Sequence, residues 1–336
     1  MENKIRNFIK TDLHLHLDGA VEPKTLFELG TEREIDLPAD NLEAFIPFVA
    51  ADPDCRSVNE YLEKFALPTK ILQDKSALHR IAKELVERLD RQFIGYAEIR
   101  FAPQLHTKKG MTQSEAVEAV IHGIGAASRN NGVKTGLILC AMSWGDAKKN
   151  KEENLETVDV AKQYLGKGVN AVDLAGIEKL CPLSDFDYVF KRAIELNLPY
   201  TCHAGDSDGP QSVRTAILEF GAVRIGHGHR IYEDKELCQI AKDKGVTLEI
   251  CLTSNIQCET RPSYALHPAK KLLDMGINVT LNTDNPCIAG VSIDSEHDAA
   301  VSYAGFTESD LVKMSQNAIN AAFISDAEKR LLLGRF

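Results

Sequence analysis

Eight short apolar runs, separated by segments with helical spacing, constrain the fold more than any other feature of this sequence. In chain order the runs are TDLHLHL, YAEIRFAP, TGLILCAM, NAVDLAG, YTCHAG, RIGHGH, TLEICLTSN and NVTLNTDN. Between the runs, apolar residues recur three or four positions apart, as at Leu78, Ile81, Leu85 and Leu89, which is typical of helices. This alternation predicts an α/β fold with a parallel sheet, and eight strands predict a closed (β/α)8 TIM barrel.

The chain contains no linker or low-complexity tract, so we expect a single domain over residues 1–336. The regular alternation is interrupted between the first and second runs, at about residues 25–69, where four prolines occur. We interpret this stretch as a helical insertion after strand 1 that lies over one end of the barrel. Within it, Tyr61, Leu62 and Phe65 have helical spacing and either form an apolar lid or anchor the insertion on the barrel.

The charge of the chain argues against nucleic acid and membranes as partners. The sequence has 49 acidic and 39 basic residues, which gives a formal net charge of −10. A field of this sign repels phosphate backbones and anionic lipid surfaces. We therefore expect neither nucleic acid nor an anionic membrane as a partner.

Cysteine usage and the first residues favour a cytoplasmic location. The eight cysteines are scattered and include no C-x-x-C pair, which predicts free thiols in a reducing compartment. The segment MENKIRNFIKTDLHLHL has neither an apolar core nor a cleavage site of the kind that signal peptides contain. No run approaches the roughly 20 apolar residues of a membrane span.

Polar side chains that can bind a metal occur where the predicted strands end. His14 and His16 lie near the end of the first run, His203 in the fifth, His227 in the sixth and Asp284 in the eighth. The carboxyl ends of the strands meet at one rim of such a barrel, and the loops at that rim build active sites. We therefore expect these five side chains to converge there.

Four of these residues indicate a catalytic metal site. His14 and His16 are two positions apart on a strand, so both imidazoles point the same way. With His203 and Asp284 they offer three nitrogens and one oxygen, a set that suits one Zn²⁺ per chain and leaves a position for water. A lone His-x-His pair could be two unrelated histidines, but the two later ligands favour the metal.

The chemistry that such a site supports is hydrolysis. Zinc lowers the pKa of bound water from about 15.7 toward 7, which supplies hydroxide near neutral pH. Attack on an aromatic amidine carbon also needs a proton donor, and Asp206, three residues after His203, is placed to provide a carboxyl group. The alternative is that Asp206 caps the following helix. His227 either orients or deprotonates the water or is an imidazole of the core.

Two more residues lie next to predicted strand ends in the sequence. His229 follows His227 with strand spacing, but Arg230 and Tyr232 beside it indicate a surface loop. Ser254, at the end of the seventh run, is expected to support the site through hydrogen bonds.

Five ordered motifs resemble those of the adenosine deaminase family, and they extend over nearly the whole chain. They are HLHLDGA, DLAGIE, TCHAGD, RIGHGHR and LNTDNP. The resemblance implies a (β/α)8 barrel with one zinc ion, in which hydroxide adds to C6 of a purine and ammonia is released. It also implies that a purine nucleoside is the substrate.

The same resemblance implies a role for each matching residue. The zinc ligands would be His14, His16, His203 and Asp284, and His227 would assist the water. Asp18 would contact a ribose hydroxyl, and Gly176 would offer its backbone N–H to the purine N3, where a side chain would block the approach. The apolar wall or lid over the nucleoside would be formed by Tyr61, Leu62 and Phe65.

The sequence departs from the family pattern at two positions. Asp206 stands where the family usually has a glutamate, so the carboxyl group remains but is one methylene shorter; Asp208, close behind, could participate or form a turn. Asn285 stands where many members have a second aspartate, which pairs with the purine N7. An amide can still donate to N7, although Asn285 could also be a turn residue before Pro286.

We therefore predict an aminohydrolase that converts adenosine or 2′-deoxyadenosine to inosine or 2′-deoxyinosine. One alternative is the deamination of another 6-aminopurine, such as adenine or an N6-substituted or 5′-modified adenosine. A second alternative, from a different class, is a purine sensor that keeps the metal site but has little activity because of the change at Asp206.

Overall fold

Eight parallel strands form a closed barrel in the computed structural model, which describes residues 8–128 and 132–336. Residues 1–7, in which we expect no signal peptide, lie outside the described residues. The strands are β1 (Lys10–His16), β2 (Ile94–Phe101), β3 (Lys134–Ser143), β4 (Val169–Gly176), β5 (Cys202–Ala204), β6 (Arg224–His227), β7 (Thr247–Ile250) and β8 (Asn278–Leu281). Each strand begins within a few residues of one of the eight apolar runs, so the predicted fold class is confirmed.

Two four-stranded sheets, β1 to β4 and β5 to β8, close into the barrel through two parallel bridges. At one seam Val172 pairs with Tyr200, and at the other Leu15 pairs with Asp284. At the second seam the amide of Asp284 donates to the carbonyl of His14, and the amide of His16 donates to the carbonyl of Asp284, both at 2.8 Å. The backbone hydrogen bonds that close the barrel therefore bring three of the predicted metal ligands together.

Helices surround the barrel and cover its carboxyl rim. They are α1 (Pro23–Glu32), α2 (Leu42–Val49), α3 (Val58–Glu63), α4 (Ala66–Ile71), α5 (Lys75–Arg91), α6 (Gln113–Ser128), α7 (Lys151–Tyr164), α8 (Asp187–Glu195), α9 (Pro210–Leu218), α10 (Lys235–Asp243), α11 (Leu252–Gln257), α12 (Ala269–Asp274), α13 (Pro286–Ala289), α14 (Ile293–Tyr303), α15 (Glu308–Ala321) and α16 (Asp326–Leu333). In the described part of the chain, none of them is long and apolar enough to cross a bilayer.

The stretch that interrupts the alternation contains the four short helices α1 to α4. These helices begin at Pro23 and end at Ile71, about two residues outside the predicted bounds of 25 and 69. Helix α5 then supplies the regular barrel helix, with the predicted apolar face from Leu78 to Leu89 buried. The predicted helical insertion after strand 1 is therefore present.

The barrel interior holds a buried network of ion pairs in place of a purely apolar core. Arg100 contacts Asp173 at 2.9 Å and Glu249 at 2.8 Å. Arg224 contacts Glu249 at 2.7 Å and Glu98 at 2.6 Å. Because breaking a buried pair by removing one partner costs about 3–5 kcal/mol, this network fixes the positions of its carboxylates firmly.

Candidate active site

The predicted metal ligands form one compact group at the carboxyl rim, which we call the histidine cluster (His14, His16, His203 and Asp284). The Nε2 atoms of His14 and His16 lie 3.4 and 3.5 Å from Oδ1 of Asp284. The ring of His203 is centred 4.5 Å from that of His14 and 5.4 Å from that of His16. The structure thus brings together four side chains that are separated by up to 270 positions in the sequence.

Two carboxylates of the barrel interior orient the imidazoles of this cluster. Nδ1 of His14 lies 2.9 Å from Oε2 of Glu249, and Nδ1 of His203 lies 3.0 Å from Oδ2 of Asp173. Each contact leaves the Nε2 atom of that ring for another partner, as in the carboxylate–histidine pairs that support metal sites. Ser254 supports the cluster as predicted, because its hydroxyl donates to Oδ2 of Asp284 at 2.6 Å.

The donor set fits a metal ion. Nε2 of His14 is buried and has no hydrogen-bond partner among the residues that the structure describes, although a buried polar atom is normally paired. Burial lowers the pKa of His14 and of His16, so both are neutral at pH 7, as ligands must be. Burial opposes ionisation of Asp284, but the contact with His14 outweighs it and lowers the pKa of the carboxyl.

Two residues of the site have a backbone conformation that residues other than glycine rarely adopt. His227 has a φ of 60° and Asp284 a φ of 61°, which is the left-handed region that favours glycine. Such strained residues persist where the surrounding structure fixes them, and they concentrate at functional sites. His227 ends β6 with its ring centred 4.8 Å from that of His14, so it borders the cluster.

A second group of polar residues, which we call the carboxyl corner (Asp206, Glu178, His229, Asn255 and Thr260), lies beside the histidine cluster. Oδ1 of Asp206 is within 2.7 Å of Nδ2 of Asn255, 2.8 Å of the hydroxyl of Thr260 and 3.1 Å of Nε2 of His229. Helix α9 has Gly209 before it and no side-chain cap. The alternative role of Asp206 as a helix cap is therefore wrong.

Burial works against ionisation of Asp206, but the surroundings of its carboxyl outweigh burial. The charge of His227 and the hydrogen bonds from His229 and Thr260 lower the pKa of Asp206 below its usual value. Asn255 connects the two candidate catalytic residues, because its Nδ2 atom also lies 3.1 Å from Nδ1 of His227. Asp206 is consequently an ionised carboxylate at neutral pH.

Glu178 is the second acidic residue of the carboxyl corner. Its Oε2 atom accepts hydrogen bonds from the amides of Asp206, at 3.0 Å, and Asp208, at 2.6 Å, while Oε1 is buried without a partner. Burial and then the charge of Asp206 raise its pKa. Asp208 accepts from the amide of Gly209 at 2.8 Å, as a turn residue does.

One cavity, with about 1100 Å³ of empty space including open solvent, is lined by part of each group: His16, His203 and Asp284 of the cluster, and Asp206 and Glu178 of the corner. All the predicted substrate-binding residues line it as well: Asp18, Tyr61, Leu62, Phe65, Gly176 and Asn285. Oδ1 of Asp18 and Oδ1 of Asn285 are buried without a partner. Burial raises the pKa of Asp18 to about 6. These atoms are available to a bound ligand.

Gly176 ends β4 in a conformation that requires glycine. Its φ is 126°, and a Cβ atom there would lie 2.7 Å from the carbonyl oxygen of Ser143. Contact with the neighbouring strand β3 therefore excludes a side chain at this position. This reason for glycine is separate from the one that we expected, which was the close approach of a ligand. The absence of a side chain leaves the backbone of Gly176 exposed toward the cavity.

Tyr61 serves as an anchor as well as a wall of the cavity. With Phe65, it packs against Cys258, Ile288 and Ala289, so the insertion is attached to the barrel at this point. Tyr61 is only 2% exposed, and its hydroxyl is buried without a hydrogen-bond partner. Tyr61 therefore anchors the insertion and also adds a polar atom to the cavity.

The prediction that His229 lies in a surface loop is also wrong. The chain turns into a 3-10 helix at His229, which is fully buried, whereas Arg230 and Tyr232 on the same turn are partly exposed. The neighbours that suggested a surface loop are therefore on the outer side of the turn, and His229 is on the inner side. Asn285 is not a simple turn residue either, because its buried side chain lines the cavity.

Sequence reasoning missed several residues that the site uses. Asp173 and Glu249 carried a signal, since each is an acidic residue within an otherwise apolar run. Glu178 lies within the motif DLAGIE, which is the signal that could have identified it. Asn255 and Thr260 follow β7 without a pattern that would have distinguished them.

The chain is similar to known proteins over nearly its full length. The model of the adenosine deaminase family matches residues 9–336. An adenosine deaminase from Haemophilus ducreyi is 41% identical over 326 residues, which cover 96% of this chain and 94% of that protein. An adenine deaminase from Arthrobacter aurescens has a TM-score of 0.88 at 26% identity and covers 97% of each chain. Arabidopsis ADAL complexed with IMP has a TM-score of 0.84 at 27% identity, covering 98% of this chain and 96% of that one.

Proposed function

The chain belongs to the adenosine deaminase family of hydrolytic enzymes, and we propose that it deaminates adenosine and 2′-deoxyadenosine to inosine and 2′-deoxyinosine. In this reaction a C–N bond at C6 of the purine is broken, a C–O bond to water is formed, and ammonia leaves. The observation that carries the proposal is that His16, His203 and Asp284 of the histidine cluster and Asp206 of the carboxyl corner line the same cavity as the residues expected to hold a purine nucleoside.

Zinc is the metal that we propose for the histidine cluster. Enzymes of this family depend on a metal, and three imidazoles with one carboxylate match the nitrogen and oxygen ligands that zinc prefers. The unpartnered Nε2 of His14 supports this choice of site. When bound, zinc supplies a nucleophile near neutral pH, because it lowers the pKa of coordinated water to about 7.

The residues beside the cluster handle the proton in the proposed reaction. His227 orients the attacking water, and the Asp206 carboxylate carries a proton to N1 of the purine and later to the departing amino group. Because Asp206 is held ionised, the proton that it delivers comes from the water. A positioned acid–base group of this kind contributes about 10²–10⁴-fold to the rate.

The purine and ribose are held by groups on the opposite wall. The backbone N–H of Gly176 donates to N3, the amide of Asn285 donates to N7, and Asp18 binds a ribose hydroxyl. Leu62 and Phe65 cover the apolar faces of the ligand. Among the described residues Oδ1 of Asp18 has no hydrogen-bond partner, which supports its assignment, since a ribose hydroxyl would satisfy it.

The charge of the cavity favours a nucleoside over a nucleotide. Among the described residues, no lysine or arginine lines the cavity, whereas Asp18, Glu178 and Asp206 all do. A 5′-phosphate in such a site would meet acidic groups with no lysine or arginine side chain to balance its charge. We therefore propose that adenosine is preferred over AMP, in contrast to the relative that was solved with IMP.

Free adenine is the second candidate, because one structural relative is an adenine deaminase. Adenine would leave Asp18 without its proposed ribose partner. The buried, unpartnered Oδ1 of Asp18 therefore favours the nucleoside.

A steady-state assay across adenosine, 2′-deoxyadenosine, adenine and AMP tests the proposal. The zinc-loaded protein should shift the ultraviolet absorbance of adenosine toward that of inosine, with the two nucleosides giving the highest kcat/KM. A higher kcat/KM for adenine would contradict the nucleoside assignment. No turnover of any of the four compounds would instead favour the purine sensor.

We place this reaction in the cytoplasm. All eight cysteines lie in the described part of the chain, and all carry free thiols there. Free thiols persist in a reducing compartment.

A further inference from the structure

The side chain of Asp206 is fixed by several hydrogen bonds as well as by burial. Its Oδ1 atom is contacted by three donors, on the side chains of His229, Asn255 and Thr260. Among the described residues, no donor contacts Oδ2, which makes Oδ2 the oxygen available to the substrate. The side chain can therefore rotate only by breaking several hydrogen bonds.

One of the three donors is itself fixed by a charged side chain. Nε of Arg261 lies 2.8 Å from Nδ1 of His229. A guanidinium can only donate, so Nδ1 of His229 must be the acceptor and Nε2 must carry the proton. His229 is thus locked in the tautomer that donates to Asp206.

This arrangement excludes a role for His229 in proton transfer. Burial, together with the charge of Arg261, lowers the pKa of His229 to about 4, against the raising effect of Asp206. Arg261 cannot take up a proton from the ring, because it keeps its own charge at every pH that the protein experiences. His229 therefore remains a neutral donor during catalysis.

From these contacts we propose that His229 and Arg261 are a positioning pair that holds the Asp206 carboxylate in its productive orientation. The proposal rests on the role of Asp206 in the function proposed above. It explains how a short side chain can work at this position, since an error of about 1 Å in a catalytic group can lower a rate about 100-fold. Asn255 and Thr260 complete the support. The titratable groups beside this arrangement also include His227, Glu178, His267 and Cys258.

Two substitutions at position 229 test the pair directly. His229→Leu removes the donor, and we expect kcat for adenosine to fall about 100-fold with little change in KM or in bound zinc. His229→Gln keeps an N–H donor and should retain most of the parent kcat. A kcat for His229→Leu within twofold of the parent, or equal losses in both variants, would overturn the proposal.

The pH dependence of kcat in the two variants is a further test, because a purely structural role of His229 would leave the acidic limb of that profile unchanged. Losing a hydrogen bond to the carboxylate raises the pKa of Asp206, so the acidic limb of kcat should move to higher pH in His229→Leu but not in His229→Gln. An unchanged acidic limb in His229→Leu would contradict the proposal.

Arg261→Gln provides a test that does not depend on the folding of the position 229 variants. Histidine ¹⁵N NMR should show His229 protonated at Nε2 in the parent and a mixture of tautomers in Arg261→Gln, with kcat lowered several-fold. Arg214→Gln is the matched control, because Arg214 contacts Asp234 and Glu236 on the surface. Parent-like NMR and kcat in Arg261→Gln would overturn the pairing but leave the proposed function intact, whereas an inactive parent would overturn the function itself.

Discussion

The histidine cluster and the carboxyl corner both contribute residues to one cavity, but they are built in different ways. The cluster is set by the barrel, since backbone hydrogen bonds place Asp284 between His14 and His16 at the seam. The corner is set by side chains from separate loops, and its central residue, Asp206, is held by three of them. The barrel therefore fixes the proposed metal ligands, whereas the proposed acid–base residue depends on its immediate neighbours.

The largest expected effect comes from removing a ligand of the cluster. His203→Ala should lose the bound metal, and deamination should fall to background, because water without a metal has a pKa of about 15.7. Metal analysis of the purified protein and the absorbance assay check this together. His122→Ala is the control, since His122 is exposed on α6. If His203→Ala retained a full equivalent of zinc, His203 would not be a metal ligand.

A change in the carboxyl corner should separate catalysis from metal binding. Asp206→Asn keeps the shape of the side chain but removes its ability to carry a proton, so we expect kcat to fall by about 10²–10⁴-fold with zinc content unchanged. Asp208→Asn is the matched control, because Asp208 is on the same loop but its side chain forms a turn. If the two variants lose activity equally, Asp206 is not the residue that carries the proton.

The same difference explains how much of the site could be predicted from the sequence. Strand parity placed His14 and His16 on one face, and the strand ends placed His203 and Asp284 beside them, because a barrel brings all its strand ends to one rim. The buried position of His229 depends instead on a turn after β6 and on Arg261, which is 32 positions away. No local pattern encodes such a contact, so the corner could not be predicted from spacing alone.

The buried carboxylates that orient the histidines should give a smaller effect than the ligands themselves. Asp173→Asn weakens the contact to Nδ1 of His203, and we expect metal affinity to fall about 10–100-fold in a chelator competition. Glu98→Gln is the matched control, because Glu98 belongs to the same ion-pair network but contacts Arg224 in place of a histidine. Both variants should lower the free energy of unfolding, and equal metal affinity in both would contradict the orienting role of Asp173.

The smallest expected effect concerns Tyr61, which belongs to the insertion and to neither the cluster nor the corner. Its buried hydroxyl lacks a partner and borders the cavity, so we expect it to bind substrate. A single hydrogen bond contributes about 0.5–1.5 kcal/mol, so Tyr61→Phe should raise KM for adenosine about 2–10-fold and leave kcat and zinc content unchanged. Tyr232→Phe, at a partly exposed tyrosine, is the control. If Tyr61→Phe instead lowers the melting temperature with KM unchanged, the hydroxyl serves only to anchor the insertion, and the substrate-binding part of the cavity is limited to the barrel and its own loops.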